Sequence, residues 1–455
     1  MDTYDIAIIG GGPGGEAAAQ RAQMRGAKTC LIEQNSLGGT CLNVGCIPTK
    51  AMLCASDMLH SVQSARQCGI EVGPGQVNGQ AYMKRVGEVV SNLVKALDRK
   101  YASGDVDLIR GRGRLGSADT IQVDLSEGGQ REVQAKNIII ATGSTPAKPP
   151  VFPWDSPNVW TTDQAVTADD LPASILIIGG GVIGCEFATV YSELGIPTTV
   201  VEMLDRLAEP LDADASKLIQ RSLRRRKVNV LVRTKITEMT AGPEGVKAVA
   251  DGKTLEASVA LVAVGRKPNI DDLGLEDAGV QIQDGVIAVD ERCRTNVANI
   301  YAIGDAAEAK QYAHLAARMG VVAVENAVGG GLTDDRSVVP VGVFTHPEVA
   351  SVGLTEDQAV EANPAARAAS FEYRATGVAW AYCRTDGLVK IIADSGSGQI
   401  LGGLVVGYHA ADVIQELAAA MRNKLTVAQT AETIHAHPTF CEAVQLAAEK
   451  WLAVS

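Results

Sequence analysis

Two stretches of the chain repeat one order of apolar and glycine positions. Residues 4–9 form an apolar run that ends in Gly10-Gly11-Gly12-Pro13-Gly14-Gly15. A helix-periodic segment at 16–25 follows, then a second apolar run at 28–32 that stops at Glu33. The pattern returns at 175–178, Gly179-Gly180-Gly181-Val182-Ile183-Gly184, a helical 185–194, a strand at 198–201 and Glu202. Gly10 to Glu33 and Gly179 to Glu202 both span 23 positions. Short apolar runs bounded by glycine predict buried strands, and strands alternating with helices predict parallel α/β units.

Further apolar strands are predicted at 137–141, before Thr142-Gly143, at 259–264, before Gly265-Arg266, and at 300–303, before Gly304-Asp305. From about Val338 the texture changes to short alternating strands, such as 388–392 and 401–406, closed by helices at 412–421 and 440–452. The fold class expected is α/β with two Rossmann-like nucleotide-binding domains and a C-terminal α+β domain. The boundaries expected are 1–145 for the first domain, 146–268 for the second, 269–336 for a segment returning to the first, and 337–455 for the last.

In such a loop the first glycine (Gly10, Gly179) makes the tight turn. The second (Gly12, Gly181) lets backbone N–H groups approach a pyrophosphate, and the third (Gly15, Gly184) lets helix and strand pack closely. Glu33 and Glu202 stand where a carboxylate accepts hydrogen bonds from ribose hydroxyls. At the second loop this disfavours a 2′-phosphate and predicts NAD over NADP, with Arg206 the one nearby cation that argues the other way.

The formal net charge of −12 argues against a nucleic-acid partner. No apolar run reaches the ~18 residues of a membrane span. The start of the chain reads as a folded strand rather than a signal peptide, so a cytoplasmic location is expected. Nine cysteines in 455 residues do not make a secreted disulfide framework.

Two of those cysteines differ from the rest. Gly38-Gly39-Thr40-Cys41-Leu42-Asn43-Val44-Gly45-Cys46-Ile47-Pro48-Thr49-Lys50 places a spaced pair after a glycine turn, at the predicted start of a helix. Zinc sites pair cysteines more closely and need two further ligands, so no metal is expected. Two inert core thiols are the plainer alternative. A helix N-terminus stabilises a thiolate, and a constrained disulfide is easily reduced, which favours redox chemistry over stapling.

GGTCLNVGCIPTK behind an N-terminal glycine loop resembles the signature of the flavoprotein disulfide reductases. Ala141-Thr142-Gly143-Ser144, Val264-Gly265-Arg266-Lys267-Pro268-Asn269 and Tyr301-Ala302-Ile303-Gly304-Asp305 resemble its other markers in order. The resemblance implies an oxidoreductase that binds FAD at the first loop and NAD at the second. By it, Cys41 exchanges with substrate, Cys46 sits against the flavin, and Lys50 lies near the flavin and pairs with Glu186. Asp305 binds the ribityl chain, and Thr142, Gly143, Gly265 and Ala313 line the cofactors. His437-Pro438-Thr439 with Glu442 resembles the family's acid–base motif. An imidazole titrates near neutrality, and a carboxylate on its other nitrogen fixes the tautomer. The resemblance further implies a C-terminal dimerisation domain and a homodimer in which His437 serves the other subunit's site. His435, His314 and His346 are not expected to be catalytic.

Features of other branches are missing: no two cysteines are adjacent, and the tail after Glu442 has no cysteine. Glu202 speaks against NADP, and Cys46 is present. The branch left oxidises dihydrolipoamide on a lipoyl-bearing protein, and residues 344–354 also resemble it. The alternatives are reduction of another disulfide or electrophile, or a non-catalytic nucleotide-binding subunit. One departure from the branch is Tyr312-Ala313-His314-Leu315, where Leu-Ala-His-Lys is usual.

Overall fold

The computed structural model describes residues 2–73 and 75–454. Met1 and Ser455, the outer ends of the first and last expected domains, lie outside them. Five parallel strands make the first sheet, in the order Asp107–Leu115, Thr29–Glu33, Asp2–Ile9, Gln130–Ile140 and Ile300–Ala302. Thr120–Leu125 runs antiparallel to both Asp107–Leu115 and Gln130–Ile140. A second parallel sheet orders Asn229–Leu231, Thr198–Val201, Ile175–Ile178, Val259–Val262 and Val159–Trp160. Ile175–Ile178 is buried at every position, as a strand covered on both faces must be. The third sheet is antiparallel, Val341–Val343, Val349–Gly353, Ile400–Val406, Leu388–Asp394 and Ala366–Glu372, with the helices Ala410–Arg422 and Glu442–Val454 packed on it. The architecture is thus mixed α/β, with two parallel sheets followed by an α+β unit.

Both glycine-loop helices start earlier than their periodicity predicts, at Pro13 and Val182. Proline suits the first helical turn because its missing N–H has no partner there in any case. The helix Gly79–Tyr101 was not anticipated; the Asn78 side chain caps it by accepting from the Ala81 N–H at 3.0 Å. The last helix starts at Glu442, after a cis peptide bond at His437–Pro438.

Two of the crossings between the parallel sheets bear on the site. Ser144–Pro146 and Arg266–Pro268 pair as a two-stranded antiparallel ribbon. The Cys46–Ser64 helix packs on the Val182–Glu193 helix of the second sheet, so the cysteine segment sits at the junction of the two units. Among the described residues no helix is long and apolar enough to cross a membrane.

Candidate functional site

The two glycine loops match in detail. Gly10 and Gly179 have φ of +109° and +103°, and a Cβ on either would lie 2.3 Å from a carbonyl oxygen, that of Ala141 or Ala263. A Cβ on Gly15 or Gly184 would lie 1.9 Å from the carbonyl oxygen of the loop's first glycine. Those four glycines are demanded by the protein's own packing. The middle glycines are not: a Cβ on Gly181 meets nothing within 4 Å, and one on Gly12 only the Gly39 Cα at 3.8 Å. Bare backbone at a helix N-terminus facing open space fits a pyrophosphate.

The acid at the end of each second strand turns back onto its loop. Glu33 accepts from the N–H of Gly11 and of Asn35, both at 2.7 Å. Glu202 accepts from the N–H of Gly180 at 2.6 Å and of Leu204 at 2.7 Å. Each oxygen keeps a lone pair for a ribose hydroxyl. Arg206 donates to the carbonyls of Glu209 and Leu211, so its guanidinium is engaged by its own loop.

Cys41 lies on the short helix Gly39–Asn43, and Cys46 is the first residue of the 19-residue helix Cys46–Ser64. Both are free thiols in this structure. The Cys41 thiol hydrogen-bonds the Cys46 sulfur, and the Lys50 ammonium adds its charge; together they outweigh burial and lower the Cys46 pKa to about 7. The Cys41 thiol is pushed well up by the same contact. A helix N-terminus and the Lys50 charge both favour an anion at Cys46 over one at Cys41.

Lys50, one turn after Cys46, donates to both carboxylate oxygens of Glu186 at 3.0 and 2.9 Å. Glu186 is buried on the Val182–Glu193 helix and also accepts from the Phe344 N–H at 2.9 Å. On the other side, Arg266 donates to the Ser144 hydroxyl and carbonyl, each at 2.8 Å, and to Thr40 at 3.2 Å. The Ser144 hydroxyl in turn donates to Asp305 at 2.6 Å. Thr142 and Gly143 exchange hydrogen bonds with Asn269. Sequence reasoning singled out neither Ser144 nor Arg266 as a site residue; their signal was the two markers that contain them. Ala313 opens the helix Ala313–Ala327, and the Tyr312 ring before it stacks on His314 at 5.5 Å.

The C-terminal histidines separate by environment. His437 Nδ1 lies 2.7 Å from Glu442 Oε1, and the His437 side chain is 79% exposed. Glu442 also accepts from the Thr439 N–H at 2.7 Å; the bonds to His437 and Thr439 hold its carboxyl below the usual range. Among the described residues no hydrogen bond or ion pair engages His437 Nε2. The His435 side chain is 6% exposed, with one nitrogen 2.8 Å from the Thr433 carbonyl and the other 2.8 Å from Glu416. With both nitrogens engaged it can hold the loop but not shuttle protons. His346 is clasped by Glu193 at 2.6 Å and Asp57 at 3.0 Å. Burial pulls its pKa down, but those two carboxylates win and raise it to about 9.

The structure therefore brings together Cys41, Cys46, Lys50 and Glu186, with Asp305 behind them through Ser144 and Arg266. It does not bring His437 and Glu442 to them: among the described residues neither makes a hydrogen bond or ion pair with that group. No cluster of three or more His, Cys, Asp or Glu among the described residues could hold a metal ion.

Comparison with known proteins identifies the family. A protein-family model described as pyridine nucleotide-disulphide oxidoreductase matches residues 4–320, and one described as the dimerisation domain of such proteins matches residues 339–448. A dihydrolipoyl dehydrogenase of Bacillus subtilis is 37% identical over 98% of this chain and 97% of its own length. Among solved structures, LpdA of Mycobacterium tuberculosis is 30% identical, covers 99% of this chain and 100% of its own, and superposes with a TM-score of 0.92. RclA of Escherichia coli, titled an HOCl-induced flavoprotein disulfide reductase, is 26% identical over 98% of this chain and 99% of its own, with a TM-score of 0.88.

Proposed function

Because the chain belongs to the pyridine nucleotide-disulphide oxidoreductase family, we propose that it oxidises dihydrolipoamide on a lipoyl-bearing protein, with electrons passing by way of Cys41, Cys46 and FAD to NAD. The observation that carries this reading is the placement of Cys46 at a helix N-terminus, one turn before Lys50, with Cys41 on the short helix just ahead of it. The full-length likeness to dihydrolipoyl dehydrogenases supports the substrate.

Gly10, Gly12, Gly15, Glu33, Lys50, Thr142, Gly143, Asp305 and Ala313 would hold FAD; Gly179, Gly181, Gly184, Glu202 and Gly265 would hold NAD. When bound, the flavin supplies two-electron transfer between the dithiol and the nicotinamide. The guanidinium of Arg206 is engaged by its own loop and Met203 and Leu204 after Glu202 are exposed apolar residues, which supports NAD.

In the thiol half-reaction, Nε2 of His437 takes a proton from one substrate thiol while Glu442 holds Nδ1–H. The substrate thiolate attacks the Cys41 sulfur of the oxidised pair. The Cys41–Cys46 bond breaks and Cys46 leaves as a thiolate, the better leaving group because its pKa is the lower. The second substrate thiol then attacks the substrate sulfur of the mixed disulfide, closing the substrate disulfide and displacing Cys41; its proton goes to the Cys41 sulfur, and the first proton leaves from His437 to solvent. Substrate dithiol becomes disulfide as the protein disulfide becomes thiol and thiolate. The dimerisation-domain match supports a homodimer. Within it, each site would use His437 of the partner subunit, consistent with the separation of His437 from the cysteines of its own chain.

A second reading has one observation of its own, the likeness to RclA, two solved forms of which are Cu(II) complexes. By it the enzyme would spend NADH on a different electrophile. Steady-state turnover decides between them. Dihydrolipoamide oxidation with NAD that is lost in Cys46→Ser, with the flavin retained, is the result expected. NADH consumption with glutathione disulfide or Cu(II), and none with lipoamide, would overturn it.

A further inference from the structure

The Lys50–Glu186 pair is closed by a third element that neither nucleotide unit supplies. Phe344 follows the strand Val341–Val343 of the third sheet. Its N–H donates to Glu186 Oε1 at 2.9 Å, and its ring centroid lies 4.3 Å from the Lys50 ammonium. An ammonium at that distance from a ring face is attracted by the ring quadrupole. Lys50 shares a helix face with Cys46, one turn away. It is thus fixed by a carboxylate from the second sheet's helix and a ring from the third sheet.

We propose that Phe344 is a positioning residue for the dithiol: its ring and its backbone N–H lock the Lys50–Glu186 pair, and so keep the ammonium where it stabilises the Cys46 thiolate. The inference rests on the proposed redox role of Cys46. Other charged groups are close enough to matter. Lys50, Phe344, Cys54, Asp57, His346 and Glu348 line one cavity of about 180 Å³. The His346 imidazolium is spoken for by Glu193 and Asp57, and burial keeps the Glu348 carboxyl above its usual range. Arg266 and Cys41 face Cys46 from the other side. The Lys50 ammonium is the charged group that stands over the Phe344 ring, so removing the ring perturbs Lys50 first.

The test is the pH dependence of iodoacetamide alkylation of the reduced holoenzyme, with Cys41, Cys46 and Cys54 resolved by fragment-ion mass spectrometry. Phe344→Leu keeps the backbone donor and removes the ring. The Cys46 midpoint is expected to rise by roughly half a unit, about a threefold loss of thiolate at pH 6. Phe344→Tyr keeps the ring and is expected to match wild type, while Lys50→Met sets the upper limit of the shift. An unmoved Cys46 midpoint in Phe344→Leu overturns the proposal. So does a shift in Phe344→Tyr equal to that in Phe344→Leu. So does a common acceleration of Cys46 and Cys54 without a change of midpoint, since that reports access alone. Lipoamide turnover is measured in parallel; its absence in wild type refutes the substrate reading while the midpoints still decide the role of Phe344.

Discussion

Lys390 offers the sharpest test of what holds the second and third sheets together. It stands on the strand Leu388–Asp394 with its side chain 3% exposed, and its ammonium meets Asp212 at 3.1 Å, Asp214 at 2.6 Å and Glu356 at 2.7 Å. Asp212 is equally buried and caps the helix Ala213–Arg225 of the second unit, so one lysine joins that helix to the third sheet. Lys390→Met fits the space and removes the charge. Removing one partner of a buried pair costs about 3–5 kcal/mol. Asp212 keeps the Asp214 and Glu356 N–H groups at 2.9 and 3.2 Å, which offsets part of that cost. Asp214 and Glu356 are partly exposed and can rehydrate, adding about 0–1 kcal/mol each. The expected loss is roughly 2–4 kcal/mol, or about 30- to 1,000-fold in a local opening equilibrium. Native-state hydrogen exchange reads this directly in the helix Ala213–Arg225, where a global two-state analysis of a multidomain flavoprotein would not. The double variant Lys390→Met, Asp212→Asn should recover most of the protection, because asparagine still caps the helix and no carboxylate is left buried. Exchange accelerated less than fivefold, or a double variant no slower than the single, would falsify the assignment. Burial opposes the charge on Lys390, but the three carboxylates hold its pKa above the lysine range, so its contribution persists until strongly alkaline pH. The Asp214 pKa is depressed, so its share is present at neutral pH and fades as pH falls below about 4.

Three further outcomes are expected. Gly181→Val leaves the fold intact, since its Cβ meets nothing within 4 Å, and raises the KM for NAD at least tenfold on the order-of-magnitude cost of blocking a pyrophosphate approach; Gly184→Val, 1.9 Å from a carbonyl oxygen, fails to give folded protein by circular dichroism. His437→Gln slows the thiol half-reaction by a factor of about 10²–10⁴ in stopped-flow traces, and a drop below threefold removes it from the reaction. His346, raised to about 9, contributes stability that is complete below about pH 6.5 and is lost as pH rises through 9; thermal melts of His346→Gln should lack that alkaline decline, and an unchanged pH profile would exclude the clasp as its source.

The parts legible in the sequence are those whose physics is local. A loop that needs a left-handed first glycine and a third glycine pressed against the first leaves its mark within six residues, and Glu33 returns to its own loop across 22 positions. The helix Gly79–Tyr101 was legible in principle, since Asn78 caps an amphipathic stretch, but no chemistry drew attention to it. The charged contacts between units left no such mark. Lys390 and Asp212 are 178 positions apart, Phe344 and Glu186 are 158, and no local pattern connects either pair.

Glu186 shows why. Its place on the glycine-loop helix follows from the sequence, and a buried carboxylate demands partners. Which partners it takes is decided by how three sheets dock, and docking is invisible to periodicity. Resemblance could name Lys50, because a family signature carries that lysine. It could not name a backbone N–H, which carries no residue identity at all. The same carboxylate accepts from Lys50 of the first unit and Phe344 of the third while standing on the second. A shift of any one unit against the others must therefore break a bond at Glu186, and that bond lies one lysine away from the sulfur on which the proposed chemistry depends.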